Sequence, residues 1–320
     1  QQRVDREVEQ RADEAEQAVE HSRQREVGPE LLFRELQALL AQTLRIERHV
    51  PGVERAARVV REHRELRGGH GLAAPREVDH EYSVDHYDGK FYIVTNKNAF
   101  NSRIVTAPIG DSSEKNWTEF VPHNPKIKIE GIDFFKGFAV VSESENGLEY
   151  LEVRDMKSGN KHRVATPESV YTMGLSGNPE FDTPTFRFSY SSLVTPQSIF
   201  EYNPVSKDSK LLKQQEVLGG FDKTKYETTR VWATARDGVK VPVSLVMKKG
   251  TKLDGSAPML LYAYGSYGAS MTPSFASNRL SLVDRGMIYG IAHIRGGSEL
   301  GEQWRQDGRM FKKVNTFNDF

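Results

Sequence analysis

The sequence contains no cysteine and no hydrophobic run long enough to cross a membrane. The absence of cysteine excludes a disulfide framework, a cysteine-based metal site and a thiol nucleophile. Net charge is also absent, because 44 basic and 44 acidic residues cancel, so neither a nucleic acid nor a membrane surface is indicated as a partner. The amino terminus is polar and lacks the apolar core of a signal peptide. The sequence therefore predicts a cytoplasmic protein of about two domains.

Lysine and aromatic residues are nearly absent from residues 1–76, which hold fourteen Arg, no Lys and one aromatic residue, Phe33. The remainder holds eleven Arg and nineteen Lys, so the break in composition marks a boundary. Residues 1–26 are nearly all Arg, Glu, Gln and Ala with few apolar positions, and amphipathic stretches follow, which predicts a helical or disordered extension. A solvated extension without a role, a coiled-coil or partner-binding hairpin, a fusion, and translation in another reading frame all fit this segment.

Short alternating strands and polar turns follow from Asp79 onward. Three strands align on Phe91, Phe138 and Phe186, with spacings of 47 and 48 residues, and each is followed by a second strand. A repeat of this length with several strands per unit is typical of β-propeller blades, although a plain antiparallel meander is the alternative. We assign residues 77–225 to a partial β-propeller.

Residues 226–320 have the pattern of an α/β domain. The first part predicts two antiparallel strands around an Asp-Gly turn. Two short apolar runs, beginning at Met259 and Met287, are rich in large residues and closed by Gly, which is typical of strands buried on both faces. Residues 274–285 between them predict a helical crossover, which makes the two strands parallel. We expect chemistry in the loops at their carboxyl ends, which begin at Tyr264 and His293.

The segments KLDGSAPMLLYAYGSYG and IAHIRGGSELGEQW resemble the start of the catalytic domain of the prolyl oligopeptidase family of serine peptidases, within its oligopeptidase B branch. The resemblance extends from about residue 81 to residue 320. It implies a seven-bladed β-propeller that caps an α/β-hydrolase domain carrying Ser, Asp and His. It also implies hydrolysis of short peptides after Arg or Lys through an acyl-enzyme. Residues 226–320 would then be the start of the hydrolase domain.

A nucleophile elbow, G-x-S-x-G, is absent from the sequence. Ser266 and Ser298 come near this motif, but Tyr264 precedes the first by two residues and Leu300 follows the second by two. Neither serine is assigned as a nucleophile. The nucleophile follows the oxyanion loop in the chain order of α/β-hydrolases. We therefore expect the triad beyond Phe320 and an inactive fragment.

Two tyrosines in the first loop are the candidate site residues. The resemblance implies that Tyr264, just before Gly265, donates its hydroxyl to the oxyanion of the acyl-transfer reaction; a core tyrosine is the alternative. It also implies that Tyr267 forms part of the wall of the pocket for the substrate residue preceding the scissile bond. Tyr267 stands where proline-specific members have Phe, and Ser266 replaces a Gly, which agrees with the branch that cleaves after basic residues.

Other residues of the second loop have simpler interpretations. Glu299 and Glu302 are candidates to bind a substrate cation, but solvated acids are the favoured reading. Residues 295–297, Arg-Gly-Gly, lack the pattern of a nucleotide loop and indicate a tight connection. His293 is interpreted as structural, and the histidines have no metal-ligand spacing. The sequence thus predicts no metal or cofactor.

Two functions follow. The first is a cytoplasmic serine oligopeptidase, acting on short peptides with basic residues, of which this chain is an inactive part. The second is a non-catalytic scaffold in which the helical segment and the blades bind a protein partner.

Overall fold

Four four-stranded sheets follow one another along residues 77–320, the part of the chain described by the structure, which is a computed structural model. The predictions for residues 1–76 lie outside this part. Residues 77–320 pack as one unit. The first three sheets are antiparallel, with strand orders β1-β2-β3-β4, β5-β6-β7-β8 and β9-β10-β11-β12, and we call them blades 1, 2 and 3.

The strands of the blades have the following bounds. Blade 1 contains β1 Tyr82–Tyr87, β2 Lys90–Thr95, β3 Arg103–Pro108 and β4 Thr118–Val121; blade 2 contains β5 Ile127–Phe135, β6 Phe138–Glu145, β7 Leu148–Asp155 and β8 Lys161–Arg163; blade 3 contains β9 Tyr171–Leu175, β10 Phe186–Ser192, β11 Ser198–Tyr202 and β12 Ser209–Gln214. Short 3-10 helices span Glu114–Asn116, Lys223–Lys225 and Met310–Lys312.

The repeat predicted from the phenylalanine spacing is confirmed. Phe91, Phe138 and Phe186 all lie in the second strand of their blade. Tight turns with positive φ join β1 to β2 and β6 to β7; Asn146 and Gly147 have φ of 53° and 72°, as a two-residue hairpin turn requires. The prediction of a partial β-propeller is therefore confirmed for these blades.

Apolar faces of neighbouring blades pack against each other. One buried cluster joins blades 1 and 2 through Tyr92 and Phe134, whose rings lie 4.5 Å apart. A second joins blades 2 and 3 through Phe138 and Phe186, whose rings lie 6.0 Å apart. Burial of such large aromatic side chains stabilises each blade contact by several kcal/mol, at about 25 cal/mol per Å².

The fourth sheet lies in residues 226–320, the predicted start of the α/β-hydrolase domain, and we call it the hydrolase sheet. It contains β13 Tyr226–Thr234, β14 Lys240–Lys248, β15 Met259–Tyr262 and β16 Ile288–Ala292, in the order β13-β14-β16-β15. The first two strands form the predicted hairpin. β15 and β16 are parallel, and the predicted crossover contains helix α1, Ser277–Val283. Helices α2, Glu302–Gln306, and α3, Val314–Asp319, follow β16.

The expectation that both strands of the parallel pair are buried on both faces is right for one and wrong for the other. All five residues of β16 are buried. In β15, by contrast, Met259 and Tyr262 are 44% and 45% exposed. The two strands differ in exposure because of their places in the sheet. β16 lies between β14 and β15, whereas β15 is an edge strand of this sheet within residues 77–320.

Within residues 77–320, no helix has the length and apolar composition that a membrane crossing requires.

Candidate active site

Two loops meet at the carboxyl ends of β15 and β16, residues 263–273 and 293–301. Their backbones are in direct contact, since Gly268 N donates a hydrogen bond to Gly296 O over 2.9 Å. Gly296 has φ of 101°, and a Cβ there would lie 2.1 Å from Gly265 O. The approach therefore requires glycine, and the Arg-Gly-Gly segment serves as a tight connection between the loops.

The first loop turns sharply directly after Tyr264. Gly265, Tyr267 and Gly268 have φ of 64°, 57° and 71°, so three of four successive residues are left-handed. A Cβ on Gly265 would lie 2.6 Å from the side chains of both Ile294 and Thr316. Glycine is thus needed for the backbone angle and for the space.

Tyr264 projects away from the core. Its side chain is 45% exposed, and its hydroxyl has no hydrogen-bond partner within residues 77–320. Tyr267 lies at the tip of the loop and is 93% exposed. The structure therefore brings both predicted tyrosines to one loop at the carboxyl edge of the sheet. The catalytic role of Tyr264 and the substrate contact of Tyr267 stay predictions.

The start of helix α3 contacts both loops of the site through side-chain hydrogen bonds. Lys313, which directly precedes α3, donates from Nζ to Gly265 O and to Ser266 Oγ, the latter over 2.7 Å. Burial lowers the pKa of Lys313. Thr316 Oγ1 donates to Arg295 O over 2.7 Å, which fastens the second loop to the same helix. Sequence reasoning missed Lys313, because a lysine at the start of a helix has no local pattern that marks a tertiary contact.

Arg295 is a buried ion-pair centre. Its guanidinium lies 2.7 Å from Asp237 Oδ2 and 2.5 Å from Asp319 Oδ1, and its backbone N donates to Asp319 Oδ2 over 2.9 Å. Hydrogen bonding from Arg295 lowers the pKa of Asp237. With two carboxylates on one guanidinium, Arg295 ties the β13–β14 turn to α3.

Ser244, His293 and Glu299 are arranged like a catalytic triad, but inside the protein. His293 Nε2 lies 2.7 Å from Ser244 Oγ, and His293 Nδ1 lies 3.7 Å from Glu299 Oε1. Ser244 is 0% exposed and His293 is 1% exposed. Burial lowers the pKa of His293. No substrate reaches a serine so enclosed, and the structural role expected for His293 agrees with this placement.

The two acids proposed as solvated surface residues are both engaged. Glu299 is 5% exposed, so that expectation is wrong, and its Oε1 accepts a hydrogen bond from Met271 N over 2.9 Å. The acid was mistaken for a surface residue because charge alone does not reveal a buried loop. Glu302 is half-buried and pairs with Arg305 over 2.6 Å. Burial acts to raise the pKa of Glu302, but hydrogen bonds from Arg305 and Gln306 lower it overall.

Arg230 joins the hydrolase sheet to blade 2. From β13, it donates to Asn146 O over 2.8 Å and to Gly147 O over 3.1 Å. It also donates to Ser244 Oγ over 3.0 Å. Burial lowers the pKa of Arg230 to about 10, so the guanidinium stays charged at neutral pH. Sequence reasoning missed this residue, because its acceptors in blade 2 lie more than eighty positions away.

A cavity of about 100 Å³ lies beside this contact. Its lining residues come from the blades and from both loops: Glu130, Ser144, Gly147, Leu148, Glu149, Tyr171, Ser270, Met271, Thr272, Pro273 and Glu299. Among residues 77–320, no group of three His, Cys, Asp or Glu side chains has the geometry of a metal site.

The sequence and the structure were compared with known proteins. Residues 54–215 match the family model of the prolyl oligopeptidase N-terminal β-propeller domain, which covers half of the chain. Residues 273–320 match the model of the prolyl oligopeptidase family. The chain belongs to the prolyl oligopeptidase family.

Individual members of this family give the same result. The chain is 49% identical over 251 residues to dipeptidyl aminopeptidase BI of Pseudoxanthomonas mexicana, covering 78% of the chain and 34% of that protein. It is 34% identical over 239 residues to protease 2 of Moraxella lacunata, covering 75% of the chain and 34% of that protein. The structure is similar to oligopeptidase B of Leishmania major with a TM-score of 0.70 and 37% identity, covering 77% of the chain and 36% of that protein. The chain thus spans about a third of the length of these family members.

Proposed function

We propose that the chain forms blades of the propeller and the oxyanion side of the active site in a cytoplasmic serine oligopeptidase. The enzyme hydrolyses short peptides after Arg or Lys through an acyl-enzyme. The single observation that carries this proposal is the placement of Tyr264. Tyr264 is half-exposed at the carboxyl edge of a parallel strand pair, and its hydroxyl has no hydrogen-bond partner within residues 77–320. Its loop is held in place by two glycines, by Lys313 and by Thr316 of α3.

The chemistry follows from this placement. Attack on a peptide carbonyl moves negative charge onto its oxygen, and a fixed donor directed at that oxygen stabilises the transition state by about 3–4 kcal/mol. A phenol on a rigid loop needs little reorganisation to act in this way. The nucleophile is not supplied by these 320 residues, because they contain no G-x-S-x-G elbow. We therefore expect the chain by itself to be inactive.

The first test uses the chain alone with a fluorogenic Arg peptide and a fluorophosphonate label for active serines. We expect neither turnover nor labelling. Labelling of Ser266, whose Oγ lies 2.7 Å from Lys313 Nζ, would instead assign a Ser–Lys nucleophile and contradict the proposal.

The second test completes the active site. The chain is joined to the remaining peptidase sequence of the Pseudoxanthomonas mexicana relative, and the variant Tyr264→Phe is compared with the unchanged chimera. We expect kcat to fall about 10²- to 10³-fold with little change in KM, because the hydroxyl acts mainly in the transition state. Tyr262→Phe, on the neighbouring strand, is the control for loss of a phenol. An active chimera in which both variants behave alike would remove the oxyanion role.

The identity to a dipeptidyl aminopeptidase supports a second candidate, the release of dipeptides from a free amino terminus. The same chimera separates the two activities. Cleavage of amino-terminally acetylated Arg peptides supports the endopeptidase, whereas cleavage that requires a free amino group supports the aminopeptidase. Absence of both activities from a folded chimera would favour the non-catalytic scaffold.

A further inference from the structure

Three acidic side chains are among the residues that line the cavity between the blades and the Tyr264 loop. Its blade side includes Glu130 and Glu149, and its loop side includes Glu299. The loop side continues directly from the site, because Ser270 follows Tyr267 by three positions and lines the cavity. A group bound here would lie against the loop that carries the proposed oxyanion donor. We call this space the Glu149 cavity.

The three carboxylates differ in how far ion pairs and hydrogen bonds compensate their negative charge. Glu130 pairs with Lys128 over 2.8 Å and accepts from Ser144 Oγ over 2.9 Å. Glu149 pairs with no basic side chain of residues 77–320. Its Oε2 accepts hydrogen bonds from Met173 N, over 2.8 Å, and from Thr172 Oγ1. Its Oε1 has no hydrogen-bond partner in the described part of the chain, so half of this carboxylate is left for another donor.

Glu299 gives an independent indication of a missing donor. It is only 5% exposed, and its Oε2 has no hydrogen-bond partner in residues 77–320. The nearby guanidinium of Arg230 is already bound to Asn146 O, Gly147 O and Ser244 Oγ. A buried carboxylate oxygen without a donor costs about 1–3 kcal/mol or more. Because Glu299 lines the cavity, a ligand with N–H groups bound there would supply a donor to this carboxylate.

We propose that the Glu149 cavity binds the cationic end of a peptide, an ammonium or guanidinium group, between Glu149 and Glu299. The proposal rests on the peptidase function proposed above. A volume of about 100 Å³ accommodates such a group but not a whole side chain with its backbone. An ammonium group has three donors and no acceptor, which matches the carboxylate and hydroxyl oxygens among the lining residues. Two parts of a substrate carry this chemistry, the amino terminus and the side chain of Lys or Arg.

Binding is measured by titration calorimetry with the whole 320-residue chain, which avoids any need for turnover. Three peptide amides are compared: tetra-alanine with a free amino terminus, acetylated tri-alanine extended by one arginine, and acetylated tetra-alanine, which has no cation. We expect a cationic peptide to bind and the neutral peptide not to bind. The binding peptide identifies the source of the cation as the amino terminus or the side chain.

The decisive variant is Glu149→Gln. The amide keeps one oxygen that accepts from Thr172 and Met173, so the fold is preserved. We expect the variant to lose about tenfold or more in affinity for the cationic peptide, the size of a charge-assisted hydrogen bond. Glu180→Gln, an exposed glutamate between β9 and β10, is the matched control and should bind normally. Glu299→Gln is the second variant and should also weaken binding.

A purely structural role for Glu149 gives a different result. Burial and the nearby charge of Glu130 raise the pKa of Glu149, so Glu149→Gln should keep or increase resistance to urea while it loses the peptide. Equal affinity for all three peptides, unchanged affinity in the variant, or no binding at millimolar peptide would each overturn the proposal. None of these results affects the test of Tyr264 in the chimera. The cation-binding proposal and the oxyanion proposal can therefore be refuted independently of each other.

Discussion

Replacement of Gly265 by Ala should destabilise the protein for two separable reasons. The residue has φ of 64°, and a left-handed angle costs a residue with a Cβ about 1–2 kcal/mol. The added Cβ would also lie 2.6 Å from Ile294 Cγ1 and from Thr316 Cγ2, and such overpacking costs about 1–3 kcal/mol more. We therefore expect the free energy of unfolding to fall by about 2–5 kcal/mol in the variant.

Urea unfolding followed by tryptophan fluorescence measures this loss. Trp304 reports on the region, since it is buried and its Nε1 donates to His293 O over 3.1 Å. Gly255→Ala is the matched control: its φ is 85°, and a Cβ there meets no heavy atom within 4 Å. The control should show only the backbone cost of about 1–2 kcal/mol. Equal losses in the two variants would refute the idea that the Tyr264 loop is fixed by packing against Ile294 and Thr316.

Two further predictions concern buried charge. Arg295→Met leaves the fully buried side chain of Asp319 without its cation. We expect the free energy of unfolding to fall by about 3–5 kcal/mol in the same urea assay. A loss under about 1 kcal/mol, which is typical of an exposed ion pair, would contradict the assignment of Arg295 as a buried ion-pair centre. Burial lowers the pKa of His293 in the folded protein. The contribution of the neutral imidazole to the free energy of unfolding is therefore complete above the unfolded-state pKa of about 6.5, and it is lost as the pH falls below that value. His293→Gln should therefore flatten the decline in stability between neutral pH and about pH 5, and an unchanged pH slope would argue against a buried neutral imidazole.

The blades could be predicted because their signal repeats. Phe91, Phe138 and Phe186 each lie at or next to the start of the second strand, within that strand, in successive blades, and the apolar alternation around them recurs with nearly constant spacing. The hairpin and the parallel strand pair could also be predicted from the sequence, because turn-forming residues and short apolar runs are local properties. Tyr264 and Gly265 were found because they lie where one of these runs ends.

The buried polar contacts of the site could not be predicted in this way. An apolar run does not reveal whether its strand is central or at an edge, which is why the exposure of β15 was missed. Charge does not reveal burial either, so Glu299 was taken for a solvated acid. The contacts of Arg230 depend on the packing of blade 2 against the hydrolase sheet, and those of Glu149 depend on the packing of blade 2 against blade 3. No pattern within a short window of sequence encodes either contact.

The bond from Arg230 to blade 2 has a consequence for how freely the blade sequence can change. Its acceptors are the main-chain oxygens of Asn146 and Gly147, which every amino acid supplies. Substitutions in that hairpin preserve the anchor as long as the reverse bend is kept, which restricts the turn to residues that tolerate positive φ. The side-chain demand at this junction is concentrated at Gly147, where a Cβ would lie 3.3 Å from Arg230 Nη1, whereas the bonds to Arg230 themselves depend on the shape of the backbone.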